Sequence, residues 1–126
     1  MQSVKLSSIG QICVTVSDLT RAIAFYRDVL GVPFLFEVPG MAFFQTGDTR
    51  LMLGLPENEK QSFSSILYFR VDDINSAYQQ LKEKGVPFTH EPRLIHRGSK
   101  TDLWLAFFTD PDGNTMALMS EVARRD

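Results

Sequence analysis

The side chains able to do chemistry are few and widely spaced. The two histidines, His90 and His96, lie in "FTHEPRLIHRGSK" with Glu91 beside the first. A metal held by His90, Glu91 and His96 would need a spacing that matches no recognised metal mechanism, so two solvated loop histidines are the simpler expectation. The single cysteine, Cys13, has no histidine next to it in the sequence to lower its pKa, and a small buried thiol is the commoner role than a nucleophile. Arg50 and Arg70 stand at alternate positions of strand-like runs. There a guanidinium forks onto a carboxylate or phosphate, or simply pairs with a neighbouring acid. The chain has no Gly-rich phosphate loop, no Gly-x-Ser-x-Gly elbow, no paired-cysteine metal site and no basic–aromatic patch.

Composition narrows the classes further. At 126 residues, 44% of them hydrophobic, the chain is long enough for one compact domain with a core and short for two ordinary ones, so a single domain over residues 1–126 is expected. A net charge of −2 gives no electrostatic reason to bind nucleic acid or an anionic membrane. One cysteine closes no internal disulfide, which fits a reducing compartment. "MQSVKLSSIG" lacks the apolar run of a signal peptide, and no stretch of about 18 apolar residues is present to span a bilayer, so a cytoplasmic location is expected.

The elements that would position these residues emerge from an internal repeat. "VSDLTRAIAFYRDVLGVPF" (16–34) is echoed by "VDDINSAYQQLKEKGVPF" (71–88). Each copy follows an apolar strand, "QICVTV" or "ILYFRV". Each then offers an aspartate, Asp18 or Asp73, to cap an amphipathic helix, and each helix closes at a glycine, Gly31 or Gly85. Three strand-like runs follow in each half: "FLFEV", "MAFFQT" and "TRLMLGL", then "FTHEP", "DLWLAFFT" and "NTMALMS". The turns "TGDT" and "DPDGN" join the last pairs. Each half thus reads as a βαβββ module, about 1–56 and 63–124, with the polar "PENEKQS" as linker. The fold class is α+β: two such modules whose sheets combine into a cupped mixed sheet with helices outside.

The double module, the helix "VSDLTRAIAFYRDVLG" and the turn "FFTDPDGNTMAL" together resemble the vicinal oxygen chelate superfamily. Glyoxalase I, extradiol dioxygenases, fosfomycin-modifying enzymes and bleomycin-binding resistance proteins belong to it. The resemblance covers nearly the whole chain and implies an active site in the cup. Strand alternation sends Ile12, Val14, Val16, Leu67, Phe69, Val71, Leu51, Leu53, Met116 and Leu118 under the helices. It turns Gln11, Cys13, Thr15, Ile66, Tyr68, Arg70, Arg50, Met52, Thr115, Ala117 and Met119 to the cup. Metal-dependent members usually place His, Glu, His or Gln, and Glu at four cup positions. Carried onto this sequence, those positions hold Gln11, Met52, Ile66 and Ala117. One neutral amide does not hold a divalent transition ion, which needs roughly three or four N or O donors.

The resulting expectation is a metal-independent small-molecule binding protein like the drug-binding (bleomycin-type) resistance proteins. Its ligand would be held by Gln11, Cys13, Arg50, Met52, Ile66, Tyr68, Trp104, Ala117 and Met119, with Phe44 as a further cup wall and with no metal and no cofactor. The alternative is a metal-dependent lyase, isomerase or dioxygenase with ligands that this pattern does not foresee. The apolar "FLFEVPGMAFF" exceeds what one small module hides, so a homodimer is expected, with no nucleic-acid or membrane partner.

Overall fold

A computed structural model describes residues 4, 5, 7–56 and 65–124. The chain divides at residues 64/65 into two compact units, and each repeats one order of elements. Most of the expected linker "PENEKQS" lies outside the described residues.

The first unit runs β1 (Gln11–Thr15), α1 (Leu19–Ile23), β2 (Phe34–Val38), β3 (Met41–Thr46) and β4 (Thr49–Gly54). Asp18 is extended (φ −135°) and its carboxylate accepts from the Arg21 amide at 3.0 Å, the capping role its position suggested. The helix does not stay α-helical. From Ala24 to Val29 it continues with π geometry, marked by the Leu30 amide bonding the Phe25 carbonyl at 2.9 Å. The wider turn coincides with the adjacent aromatics Phe25 and Tyr26, whose rings meet edge to face at 5.5 Å. Gly31, at φ +75°, ends the helix in the left-handed conformation that glycine adopts without penalty.

The sheet order β1-β4-β3-β2 pairs β1 with β4 in parallel and the rest antiparallel. Val14, Val16, Leu51, Leu53, Ala42, Phe44 and Tyr26 form the buried layer between helix and sheet. Burying each large apolar side chain contributes about 1.5–3 kcal/mol.

The second unit runs β5 (Leu67–Arg70), α2 (Ile74–Glu83), β6 (Arg93–Arg97), β7 (Thr101–Thr109) and β8 (Thr115–Ala123). Asp73 caps α2 by accepting from the Ser76 amide at 3.0 Å, and Gly85 takes φ +90° at the other end. The order β5-β8-β7-β6 repeats the first sheet, with parallel β5–β8 and antiparallel neighbours. Buried Ile74 and Tyr78 from α2 pack over Phe108, Met116 and Leu118, and Phe88 joins Tyr78 (4.7 Å) to Phe108 (5.3 Å).

The α+β class with two βαβββ modules stands, and each module's ladder is a four-stranded mixed sheet. One strand moved. "FTHEP" makes only an isolated bridge, Phe88 to Phe108, and the third strand of the module is instead "RLIHR", Arg93–Arg97. Pro92 lacks the amide a ladder needs, so regular pairing starts after it.

The turn in "DPDGN" is built around Asp110, which is 4% exposed. Its Oδ1 accepts from the amides of Asp112 (2.9 Å) and Asn114 (2.8 Å), and its Oδ2 from Asn114 Nδ2 (2.9 Å). Gly113 supplies the positive φ of +81°. The motif is therefore a structural staple that sets the β7–β8 register and, through it, the position of Ala117.

Candidate functional site

In the first unit, the register fixes what shares the face away from α1. Gln11 lies opposite Arg50, Cys13 opposite Met52, and Met52 opposite Phe43, while Phe36 is Phe43's partner on β2. Cys13, Met52, Phe43 and Phe36 thus form one row across the sheet. The rings of Phe36 and Phe43 stack with centroids 4.6 Å apart. The Arg50 guanidinium lies 5.7 Å from the Phe43 ring centre, a cation–π contact rather than an acid pair. Gln11 Nε2 points at Met52 Sδ, 3.9 Å away.

Gly54 follows Met52 on the same face. A Cβ there would lie 3.4 Å from Met52 Cε and 3.7 Å from Cys13 Sγ, in ordinary contact with both. Cys13 is exposed as a residue, yet partial burial still pushes its thiol pKa up. It is consequently a poor thiolate source at neutral pH.

Phe44 does not belong to this face. It is completely buried, 5.4 Å from Phe34 and 6.1 Å from Tyr26, in the layer under the helix. Its neighbour Phe43 takes the place expected of it, because register with β4 rather than local hydrophobicity sets the parity.

In the second unit, Tyr68 lies opposite Ala117, and Ala117 opposite Phe107. The next row is Arg70, Met119, Leu105 and Arg93. Ile66 precedes β5, is exposed, and by alternation continues the side of Tyr68. Arg70 is largely solvated and touches Glu121 at 3.8 Å, too exposed for the pair to contribute much stability.

Trp104 is a correction. It pairs with Ser120 in an unbroken β7–β8 register, on the same side as Ala106 and Phe108, hence on the helix-bearing face and not with Tyr68 and Ala117. The aromatic wall expected from Trp104 is supplied by Phe107, whose ring meets Tyr68 edge-on at 5.9 Å and 75°. His90 also departs from the solvated-loop expectation. Its ring lies 5.6 Å from Phe107, and Nδ1 lies 2.6 Å from the Glu91 carbonyl oxygen. The exposed His96 pairs with Leu103 across a bulge after Leu94.

The signal for Phe107 was present in strand parity. The signal for His90 was not, since it depends on the Thr89 amide bonding the Phe107 carbonyl at 2.8 Å. A separate shallow depression of about 210 Å³ lies along α2, bounded by Asn75, Tyr78, Gln79, Lys82, Glu91 and Pro92. It is polar, and of the residues weighed from the sequence only Glu91 lines it.

A model of the Glyoxalase/Bleomycin resistance protein/Dioxygenase superfamily matches residues 8–118. The chain belongs to this superfamily. Relatives include YraH of Bacillus subtilis (strain 168), 30% identical over 86% of this chain and 94% of that one. Another is the metallothiol transferase FosB of Staphylococcus epidermidis, 32% identical over 90% of this chain and 82% of that one. Among solved structures, a superfamily member from Sphaerobacter thermophilus superposes with a TM-score of 0.75 at 30% identity, covering 92% of this chain and 98% of that one. A lactoylglutathione lyase from Agrobacterium tumefaciens gives a TM-score of 0.76 at 23% identity, covering 92% and 95%, a likeness of fold.

Membership raises the question of a metal. The resemblance puts the ligand positions of metal-dependent superfamily members at Gln11, Met52, Ile66 and Ala117. Gln11 offers one neutral amide whose Nε2 lies 3.9 Å from Met52 Sδ, and Ala117 is completely buried without a donor atom. Among the described residues, no group of three or more His, Cys, Asp and Glu side chains is placed to hold an ion. This donor set does not fit a divalent transition metal. Among the described residues, no helix is long and apolar enough to cross a membrane.

Proposed function

We propose that this chain holds a small, partly aromatic molecule against a sheet face, that of Cys13, Met52 and Phe43 in the first unit or that of Tyr68, Ala117 and Phe107 in the second. In this reading the two units act as one domain in the cytoplasm, and two copies of the chain assemble. The observation that carries it is the substitution pattern. The positions of a metal centre are filled by Met52 in the first unit and by Ile66 and Ala117 in the second, apolar residues that each leave their own sheet face at low desolvation cost to a ligand. Gln11 and Arg50 add polar groups at the margin of the first unit's face. Exposed Leu35 (43%) and Phe36 (44%) on edge strand β2 support assembly.

A second reading has its own support. The relatives named metallothiol transferases favour a metal-dependent enzyme, and the comparisons lend that reading more weight than they lend a binder that does no chemistry. In this chain such an enzyme would have to draw metal donors from outside the superfamily positions.

A thermal-shift screen of small aromatic and amphipathic compounds, run beside metal analysis of protein grown with Zn, Ni, Mn and Fe, separates the two readings. A ligand bound only by the folded state raises the melting temperature by mass action. Stabilisation by an organic ligand in protein carrying well under one metal equivalent supports the first reading. Near-stoichiometric metal that is required for ligand binding supports the second.

A further inference from the structure

We infer that His90 is the hydrogen-bond acceptor of the Tyr68–Phe107 face, and that this face selects a planar ring bearing a hydroxyl group, a phenol. The inference rests on the small-molecule reading above and assigns a residue and a ligand class to it.

Three relationships carry it. The backbone beside His90 is pinned to β7: Phe88 bridges Phe108, and the Thr89 amide donates to the Phe107 carbonyl at 2.8 Å. That anchoring holds the His90 ring 5.6 Å from Phe107 at 64°, and Phe107 in turn meets Tyr68 at 5.9 Å. The three rings therefore form a continuous aromatic series, with Ala117 between Tyr68 and Phe107 in the register. Tyr68 remains 47% exposed, so its ring is reachable.

The second relationship is the tautomer. Nδ1 of His90 lies 2.6 Å from the Glu91 carbonyl oxygen, which only accepts, so in the neutral ring Nδ1 carries the hydrogen. Nε2 is then a lone-pair acceptor. Among the described residues it has no hydrogen-bond partner. A freely solvated histidine has no such enforced tautomer.

The third relationship is complementarity. The aromatic rings offer edge-to-face contacts that add to the burial of apolar area. The imidazole offers one acceptor and, while neutral, no second donor. A phenol satisfies both: its ring lies against Tyr68 and Phe107, and its O–H donates to Nε2. A ring without a donor satisfies only the first requirement.

The test uses the full chain and two probes of nearly equal shape, phenol and its methyl ether anisole, titrated while backbone amide NMR signals are followed. Phenol is expected to move the amides of Tyr68, His90, Phe107 and Ala117 and to bind about threefold to tenfold more tightly than anisole, the net effect of one hydrogen bond. His90→Phe keeps a ring against Phe107 and removes the acceptor, so it should abolish the preference, with phenol and anisole then binding equally. Long-range proton–nitrogen spectra of the unmodified protein should show the Nδ1–H tautomer. The Nε2–H tautomer, or a phenol preference that survives His90→Phe, overturns the assignment. Equal binding of both probes on these amides removes His90's role and leaves the small-molecule reading standing. If neither probe binds while a screened ligand moves the same amides, the phenol class is wrong and the site is right. If every ligand found moves amides elsewhere, both fall.

Discussion

Tyr68 and Phe107 meet edge to face, with ring centroids 5.9 Å apart, across the completely buried Ala117. That relationship explains the residue type on β8 better than a vacated metal position alone does. Each ring reaches over the central strand from its own neighbour, with Ala117 between them in the register.

Ala117→Phe is expected to do two things. It should abolish binding of any ligand seated on this face. It should also destabilise the fold by about 1–3 kcal/mol, because extra volume at a fully buried site forces neighbours off their rotamers. Urea denaturation measures the second effect, and ligand titration below the transition measures the first.

Asp110→Ala should be the costliest single change in the β7–β8 turn. It removes a nearly buried carboxylate that serves two amides and one side-chain amide, and it leaves those donors to find water. A loss of about 2–3 kcal/mol is expected, with Asp110→Asn losing less because one oxygen acceptor remains. Equilibrium unfolding of the two variants side by side checks the order.

The helix caps make a matched pair. Asp18→Ala and Asp73→Ala each delete a 3.0 Å bond to the first turn, and each should cost about 1 kcal/mol. The caps share no partner, so the double variant should lose the sum to within about 0.5 kcal/mol if unfolding is a single transition. A biphasic transition in which each variant moves a different phase would show that the two units unfold separately.

Cys13 should alkylate slowly. Partial burial raises its thiol pKa, so the rate with iodoacetamide should have its pH midpoint above that of the urea-unfolded chain. The sign for stability follows. A raised folded-state pKa favours the neutral thiol in the fold, so its contribution is present below the unfolded pKa and is lost as pH rises through the folded one. Cys13→Ala should remove that alkaline dependence.

If two copies of the chain assemble through β2, light scattering at tens of micromolar should give twice the chain mass. Leu35→Glu combined with Phe36→Glu should return it to one, because both side chains are more than 40% exposed on an edge strand and two carboxylates there repel a second copy. A monomer in the unmodified protein would remove this part of the proposal.

Much of this architecture could be read from local features. Capping aspartates, helix-closing glycines, period-two strands and the internal repeat are short-range signals, and each names an element without reference to the other half of the chain. Parity along "TRLMLGL" and "NTMALMS" correctly sorted Leu51, Leu53, Met116 and Leu118 into the core, because one face of each strand lies under a helix. That the superfamily's ligand positions hold Gln11, Met52, Ile66 and Ala117, with a single amide among them, was equally legible, since it depends on residue type once the strands are aligned.

What parity within one segment did not settle was which of two adjacent aromatics faces which way. Phe43 and Phe44 are chemically alike, and only the pairing of β3 with β4 puts Phe44 under the helix and Phe43 beside Met52. Trp104 went to the helix-bearing side for the same reason, carried there by its register with Ser120. His90 was hidden more deeply. Its place against Phe107 comes from a bridge and one amide hydrogen bond formed beside β7, ahead of the regular strand that begins after Pro92. Local sequence specifies alternation. Tertiary hydrogen bonding chooses the phase of that alternation, and the phase decides which side chains meet.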